Sequence, residues 1–160
     1  MIATSRVFSN VRNAYALMQS APWTPNPTTG RDVQVSFVAP IGGPMLETVT
    51  VFSGPTDPVE REARTLGYVT YDENVVVKVL IECQVPDPDP LVVWARLEEL
   101  ADIAQNVFRD PATGRPVDLG DDLTPAQVAG GPLRLTPTLF PDPSGFTGQV
   151  ELDVLARSRI

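Results

Sequence analysis

The sequence predicts an α+β domain in two layers, a mostly antiparallel sheet with two main helices packed on one face. Three observations lead there. Residues 74–110 hold a strand, a proline-punctuated turn and a helix in succession. A second amphipathic pattern lies near the N-terminus, over residues 4–20. Short alternating stretches on either side supply further strands.

The first helix is read from a stripe of Val7, Phe8, Val11, Ala14, Tyr15 and Met18. Arg6, Asn10, Asn13 and Gln19 are expected to face away, and Thr4 or Ser5 to cap it. Three prolines and Gly30 make residues 21–31 a loop, with Trp23 expected as a core plug. Residues 32–39 and 47–53 both alternate, and are read as two antiparallel strands. Their join, PIGGPML, is longer than a tight hairpin. It is no phosphate cradle, because no lysine follows and no helix opens after it. Residues 54–67 are expected to hold a short charged helical turn begun by Asp57 and Pro58. Residues 69–71 form a short β-prone piece, and Asp72, Glu73 and Asn74 a turn.

Residues 75–84 then form the central strand. Val75, Val77, Val79, Ile81 and Cys83 share one face, while Val76, Lys78, Leu80 and Glu82 share the other. Prolines at 86, 88 and 90 exclude both strand and helix from the turn. Asp89 followed by Pro90 is a helix start. Trp94, Leu97, Ala101, Ala104 and Phe108, widened by Val93, Leu100 and Val107, predict the buried stripe of a helix of about five turns. Arg96 is placed on the opposite side with Glu98, Glu99 and Asp102. Residues 110–131 read as loop, with one helical turn after Thr124 and Pro125. Residues 133–139 alternate around Pro137, which assigns them to a sheet edge. A turn at 142–145 leads to the last strand, 149–156.

The composition narrows the chemistry. A chain of 160 residues fits one domain with a real core. No histidine is present, which removes the commonest general base and the commonest transition-metal ligand. A Ser–His–Asp or Cys–His set is therefore excluded. The single cysteine, Cys83, excludes an internal disulfide, and with no histidine a structural zinc site is excluded too. Asp121 and Asp122 lack a third ligand at calcium-loop spacing. The reading is a non-enzyme with no cofactor and no metal. No run of apolar residues is long enough to span a membrane, and the N-terminus has no apolar signal core. A net charge of −8 argues against a nucleic-acid-holding face.

The layout resembles the tail terminator proteins of long-tailed bacteriophages, also described as minor tail or tail completion proteins. The resemblance rests on an N-terminal amphipathic helix, a long-looped strand pair, and ENVVVKVLIEC running through an acidic proline turn into LVVWARLEELADIAQNVFRD. A final strand, TGQVELDVLAR, ends the chain. The resemblance implies a virion protein of the head-proximal end of the tail, assembled in the host cytoplasm. It implies a homo-oligomeric, hexameric ring that caps the tail tube protein and meets the head–tail connector proteins, with DNA passing through unbound. The alternatives are a head-closure or other neck ring, and a small acidic ligand-binding or inhibitor domain.

Two sets of residues are candidates for contacts. Pro40, Ile41, Gly42, Gly43, Pro44 and Met45 form a flexible loop suited to reaching a partner. Glu151, Asp153, Arg157 and Arg159 are charges suited to bridging an adjacent subunit.

Overall fold

A seven-stranded sheet carries both helices on one face. In chain order the elements are α1 (Val7–Gln19), β1 (Gln34–Ser36), β2 (Thr48–Ser53), β3 (Glu60–Thr65), β4 (Tyr68–Val85), α2 (Pro90–Val107), β5 (Ala126–Val128), β6 (Arg134–Asp142) and β7 (Gly145–Arg159). This is a computed structural model, and it describes residues 6–37, 47–54, 60–65, 68–85, 87–120, 126–128, 134–143 and 145–159. The strand order is β1-β2-β4-β7-β5, with β3 beside the start of β4 and β6 beside the start of β7. All pairings are antiparallel except β1 with β2. The α+β class expected from the sequence is the class observed.

β4 is the axis. Val75, Val77, Val79, Ile81 and Cys83 are fully buried on the helix-bearing face, as their alternation requires. β7 pairs with β4 over fourteen residues, from Asp72↔Arg159 to Val85↔Phe146. It adds Val150, Leu152, Val154 and Ala156 to the same buried face, and β2 adds Val49 and Val51. α1 lies over β1, β2 and β4, and α2 lies over β4, β7 and β6. Trp23 packs against this core and its indole N–H donates to the Met18 carbonyl at 2.7 Å.

α2 starts where the sequence placed it. Asp89 caps it by accepting the Leu91 N–H at 2.9 Å, and Pro90 occupies the first turn. The buried stripe is Val93, Leu97, Leu100, Ala101 and Ala104, closed by Phe108. Trp94 is not in it: one residue on from Val93, it is turned about 100° around the axis and is 42 % exposed above β6. The helix comes close to the sheet at Gly148, where an added Cβ would sit 3.1 Å from Val93 and 3.3 Å from the Cys83 sulfur. The β6–β7 hairpin turns with Asp142 opposite Gly145. Gly145 has φ +149° and lies against the Asp87 backbone, so a side chain there would meet the carbonyl at 2.7 Å.

Several local expectations give way to tertiary pairing. β1 and β2 run parallel, Val35 beside Val49, and so form no hairpin. Alternation alone does not distinguish the two directions, because side chains point to alternate faces in both. Residues 60–65 form strand rather than helix, because the early part of β4 offers them an edge. The triplet at 72–74 is no turn but continuous β4. Within it Glu73 is buried, and its carboxylate accepts the Arg6 N–H at 2.8 Å. α1 has no side-chain cap of its own, so an acid from the sheet meets the positive end of the helix. Asn10, expected on the outer face, is fully buried with no partner for its amide among the described residues.

The stretch after α2 is also more structured than a loop. Leu119 is fully buried, Asn13 on α1 donates to its carbonyl at 2.7 Å, and residues 126–128 are strand rather than a helical turn. The proposed caps Thr4 and Ser5, Asp57 with Pro58, and Thr124 with Pro125, and the adjacent carboxylates Asp121 and Asp122, lie outside the described residues.

The two helix positions predict a contrast. Leu97→Ala should lower the unfolding free energy by about 2–5 kcal/mol, as truncation of a buried leucine does. Trp94→Ala should cost about 1 kcal/mol or less. Urea denaturation measures both; equal large losses would mean that Trp94 is a core residue.

Candidate functional site

The buried polar centre of the molecule is one that the sequence reading placed in solvent. Arg96 occupies a stripe position of α2, beside Leu97 and between Val93 and Leu100, and it is buried. Its Nε donates to Glu47 Oε1 at 2.8 Å and Nη2 to Glu47 Oε2 at 2.6 Å. Nη2 also donates to the Thr24 carbonyl at 2.6 Å. Nη1 donates to Thr24 Oγ1 at 2.8 Å and to Glu99 Oε2 at 2.9 Å. All five guanidinium N–H groups are thus engaged. Asn26 donates to Glu47 Oε1 at 2.6 Å. The network ties α2 to the start of β2 and to the proline-rich segment after α1.

The charged form of Arg96 is favoured, chiefly by its hydrogen bonds to Glu47 and also by Glu99. The Glu99 carboxyl is held below its usual range by the Thr24 hydroxyl and by Arg96. Beside the network, burial pushes the Cys83 thiol up to about 12, so it stays protonated and inert. A cleft of about 420 Å³ adjoins Arg96, lined by Pro27, Val85, Leu91 and Val92. The guanidinium on its wall has no donor left for a ligand.

The sheet face away from the helices is polar. Lys78 lies at its centre and pairs with Glu151, and with Asp153 at 3.2 Å. Those bonds, Glu151 first, raise the lysine pKa. Gln149 donates to Glu82 at 3.0 Å. Of the four candidate contact charges, Glu151 and Asp153 are therefore turned onto Lys78 of their own chain. Arg157 donates to Asn74 at 3.2 Å. Arg159 pairs with Asp72 through the strand register, and its side chain lies outside the described residues. The candidate loop, Pro40 to Met45, lies outside them as well. Among the described residues no group of three or more His, Cys, Asp or Glu is placed to hold a metal ion. No helix among them is long and apolar enough to cross a membrane.

No family model matches the chain, and no curated protein does. Among solved structures, a chain from "Virion of native gene transfer agent (GTA) particle" aligns with a TM-score of 0.42 and 15 % identity, covering 96 % of this chain and 92 % of that one.

Several large apolar side chains are exposed, among them Leu91 and Val92 at the start of α2 beside the Arg96 cleft. Phe8 is exposed in the first turn of α1, Phe37 just after β1, and Trp94 and Leu135 beside the groove between α2 and β6. A groove of about 240 Å³ runs between α2 and β6, lined by Trp94, Ala101, Leu135 and Pro137, with Glu98 and Asp102 on its helix wall. These surfaces were not singled out in the sequence. The apolar spacing places both Trp94 and Phe8 in buried helix stripes, but Phe8 is 85 % exposed, at the edge of a stripe whose centre is Val11, Ala14 and Met18.

Two outcomes test the polar centre. Arg96→Met leaves Glu47 buried without its cation, and should cost about 3–5 kcal/mol, as breaking one side of a buried ion pair does. Replacing both, Glu47→Leu with Arg96→Met, should recover much of that loss. Glu99 gives a pH signature. Its folded pKa is depressed, so its contribution is present above the ordinary value of 4.5 and is lost as pH falls through the folded pKa. The melting difference between the parent and Glu99→Gln should therefore shrink below about pH 4.5. A difference that stays constant with pH would exclude an ionic role for Glu99.

Proposed function

We propose that this chain is a virion structural protein, a ring-forming tail terminator at the head–tail junction of a long-tailed bacteriophage. The sequence resemblance supports this reading, through the strand, the acidic proline turn, the helix and the closing strand. The observation that carries it is the one-sided sheet. Both helices cover one face, and the other face and both margins are left for neighbours. A subunit built this way has side surfaces for a ring and an axial surface for a tube or a connector. The loop containing Pro40 to Met45 remains a proposed reach toward such a partner.

DNA would pass through the ring without binding. Six subunits of −8 each gather about 48 negative charges, and phosphate is repelled by such a wall. A neck ring of another kind would share this logic. A small ligand-binding domain is less well supported, because the cationic group beside the 420 Å³ cleft is fully committed within the chain.

Solution mass tests the ring. The purified protein, alone or mixed with tail tubes, should run as a closed oligomer of 17.3 kDa subunits, about 104 kDa for six. A monomer under both conditions would contradict the proposal. A gel-shift titration with duplex DNA at about 50 mM salt should show no complex. Micromolar binding there would contradict the passive conduit.

A further inference from the structure

We propose that copies of this chain associate head to tail, with the outer face of α1 of one copy docking into the α2–β6 groove of the next. Two unlike surfaces lie at opposite margins of the one sheet. Phe37, just after β1 at one margin, is 44 % exposed, and Phe8, in the first turn of α1, is 85 % exposed. Tyr15, two turns beyond Phe8 on the same helix face, meets Phe37 with ring centroids 4.0 Å apart. At the β6 margin, Trp94 and Leu135 are 42 % and 40 % exposed at the mouth of the groove. Phe8 thus extends along one helix face the aromatic surface that Tyr15 and Phe37 begin, and an apolar patch of this kind suits a contact site. The groove has room for an aromatic ring, and α1 presents one standing clear of its own core.

Charge selects the occupant. Arg12 stands on α1 between Phe8 and Tyr15, exposed, with no ion pair among the described residues. The helix wall of the groove carries Glu98 and Asp102, four residues apart on one face and likewise without ion pairs among the described residues. The chain thus bears a basic, aromatic knob and an acidic, aromatic hole. Each complements the other and neither complements itself. A two-fold dimer through either surface would set like charges together, which disfavours it. The contact that satisfies both is heterologous, and such a contact closes into a ring when its rotation permits. This deepens the ring reading and rests on it for closure; the contact itself requires only two copies.

Complementation between defective partners tests the proposal. Phe8→Asp damages the knob and leaves the hole intact; Leu135→Asp does the reverse. Both positions are exposed, and a parent-like melting curve confirms that each variant is folded. Light scattering, with the protein alone or on tail tubes, should show the parent as an oligomer and each variant as a 17.3 kDa monomer. An equal mixture of the two should give a dimer, twice that mass, joined through the one intact knob and the one intact hole. Arg12→Glu should weaken assembly at least tenfold, and adding Asp102→Arg in the same chain should restore it. Variants that keep the parental mass, or a mixture that stays monomeric, would overturn the head-to-tail contact while leaving a ring through other surfaces possible. A parent that is monomeric alone and on tubes would overturn the contact and the ring together.

Discussion

β4 and β7 form the long antiparallel pair at the middle of the sheet, and every other element is placed relative to it. Fourteen consecutive residue pairs in one register fix which side chains of both strands enter the core. A one-residue slip of β4 would bring Lys78 and Glu82 under the helices, and a slip of β7 would bring Glu151 and Asp153 there, in each case expelling apolar residues. Either slip would bury two charges in an apolar layer, so the register has no near competitor. With the register fixed, both helices are confined to one face. What the opposite face and the margins can do follows from that confinement.

One charged group is nevertheless held inside the helix layer. Arg96 is tolerated there because every donor finds an acceptor, two of them on a single carboxylate in the paired geometry that guanidinium favours. Its role is positional. It draws the first residue of the β2 region, the segment after α1 and the middle of α2 to one point, and so sets where α2 lies across the sheet. The groove beside β6 is a consequence of that placement, since Trp94 is brought over the edge strand and not into the core.

Much of this was legible in the sequence, for reasons specific to each element. The β4 alternation, the Asp89–Pro90 helix start and the edge assignment of Pro137 are local signals that no distant contact overrode. The parallel β1–β2 pair, the strand at 60–65 and the interior position of Glu73 were hidden because each depends on a partner far along the chain. Arg96 did leave a signal. It stands at helical spacing from Val93 and Leu100, and a charge inside an apolar stripe calls for a buried counter-charge elsewhere. That the counter-charge is Glu47 is known only once β2 is placed beside β4. The candidate charges on the last strand illustrate the opposite limit: their place off the apolar face was foreseeable, but their commitment to Lys78 and Asn74 needed the register.

With one face of the sheet committed to the core, the proposed contact joins its two margins across copies. Disulfide trapping tests this most directly. Arg12→Cys and Asp102→Cys are placed together in one chain, where the native Cys83 is buried and unreactive. Under mild oxidation the double variant should form a covalent ladder of dimers, trimers and higher species. Either single variant should remain uncrosslinked, and an equal mixture of the two should stop at dimers. A ladder absent from the double variant, or self-crosslinking by Arg12→Cys alone, would contradict that contact.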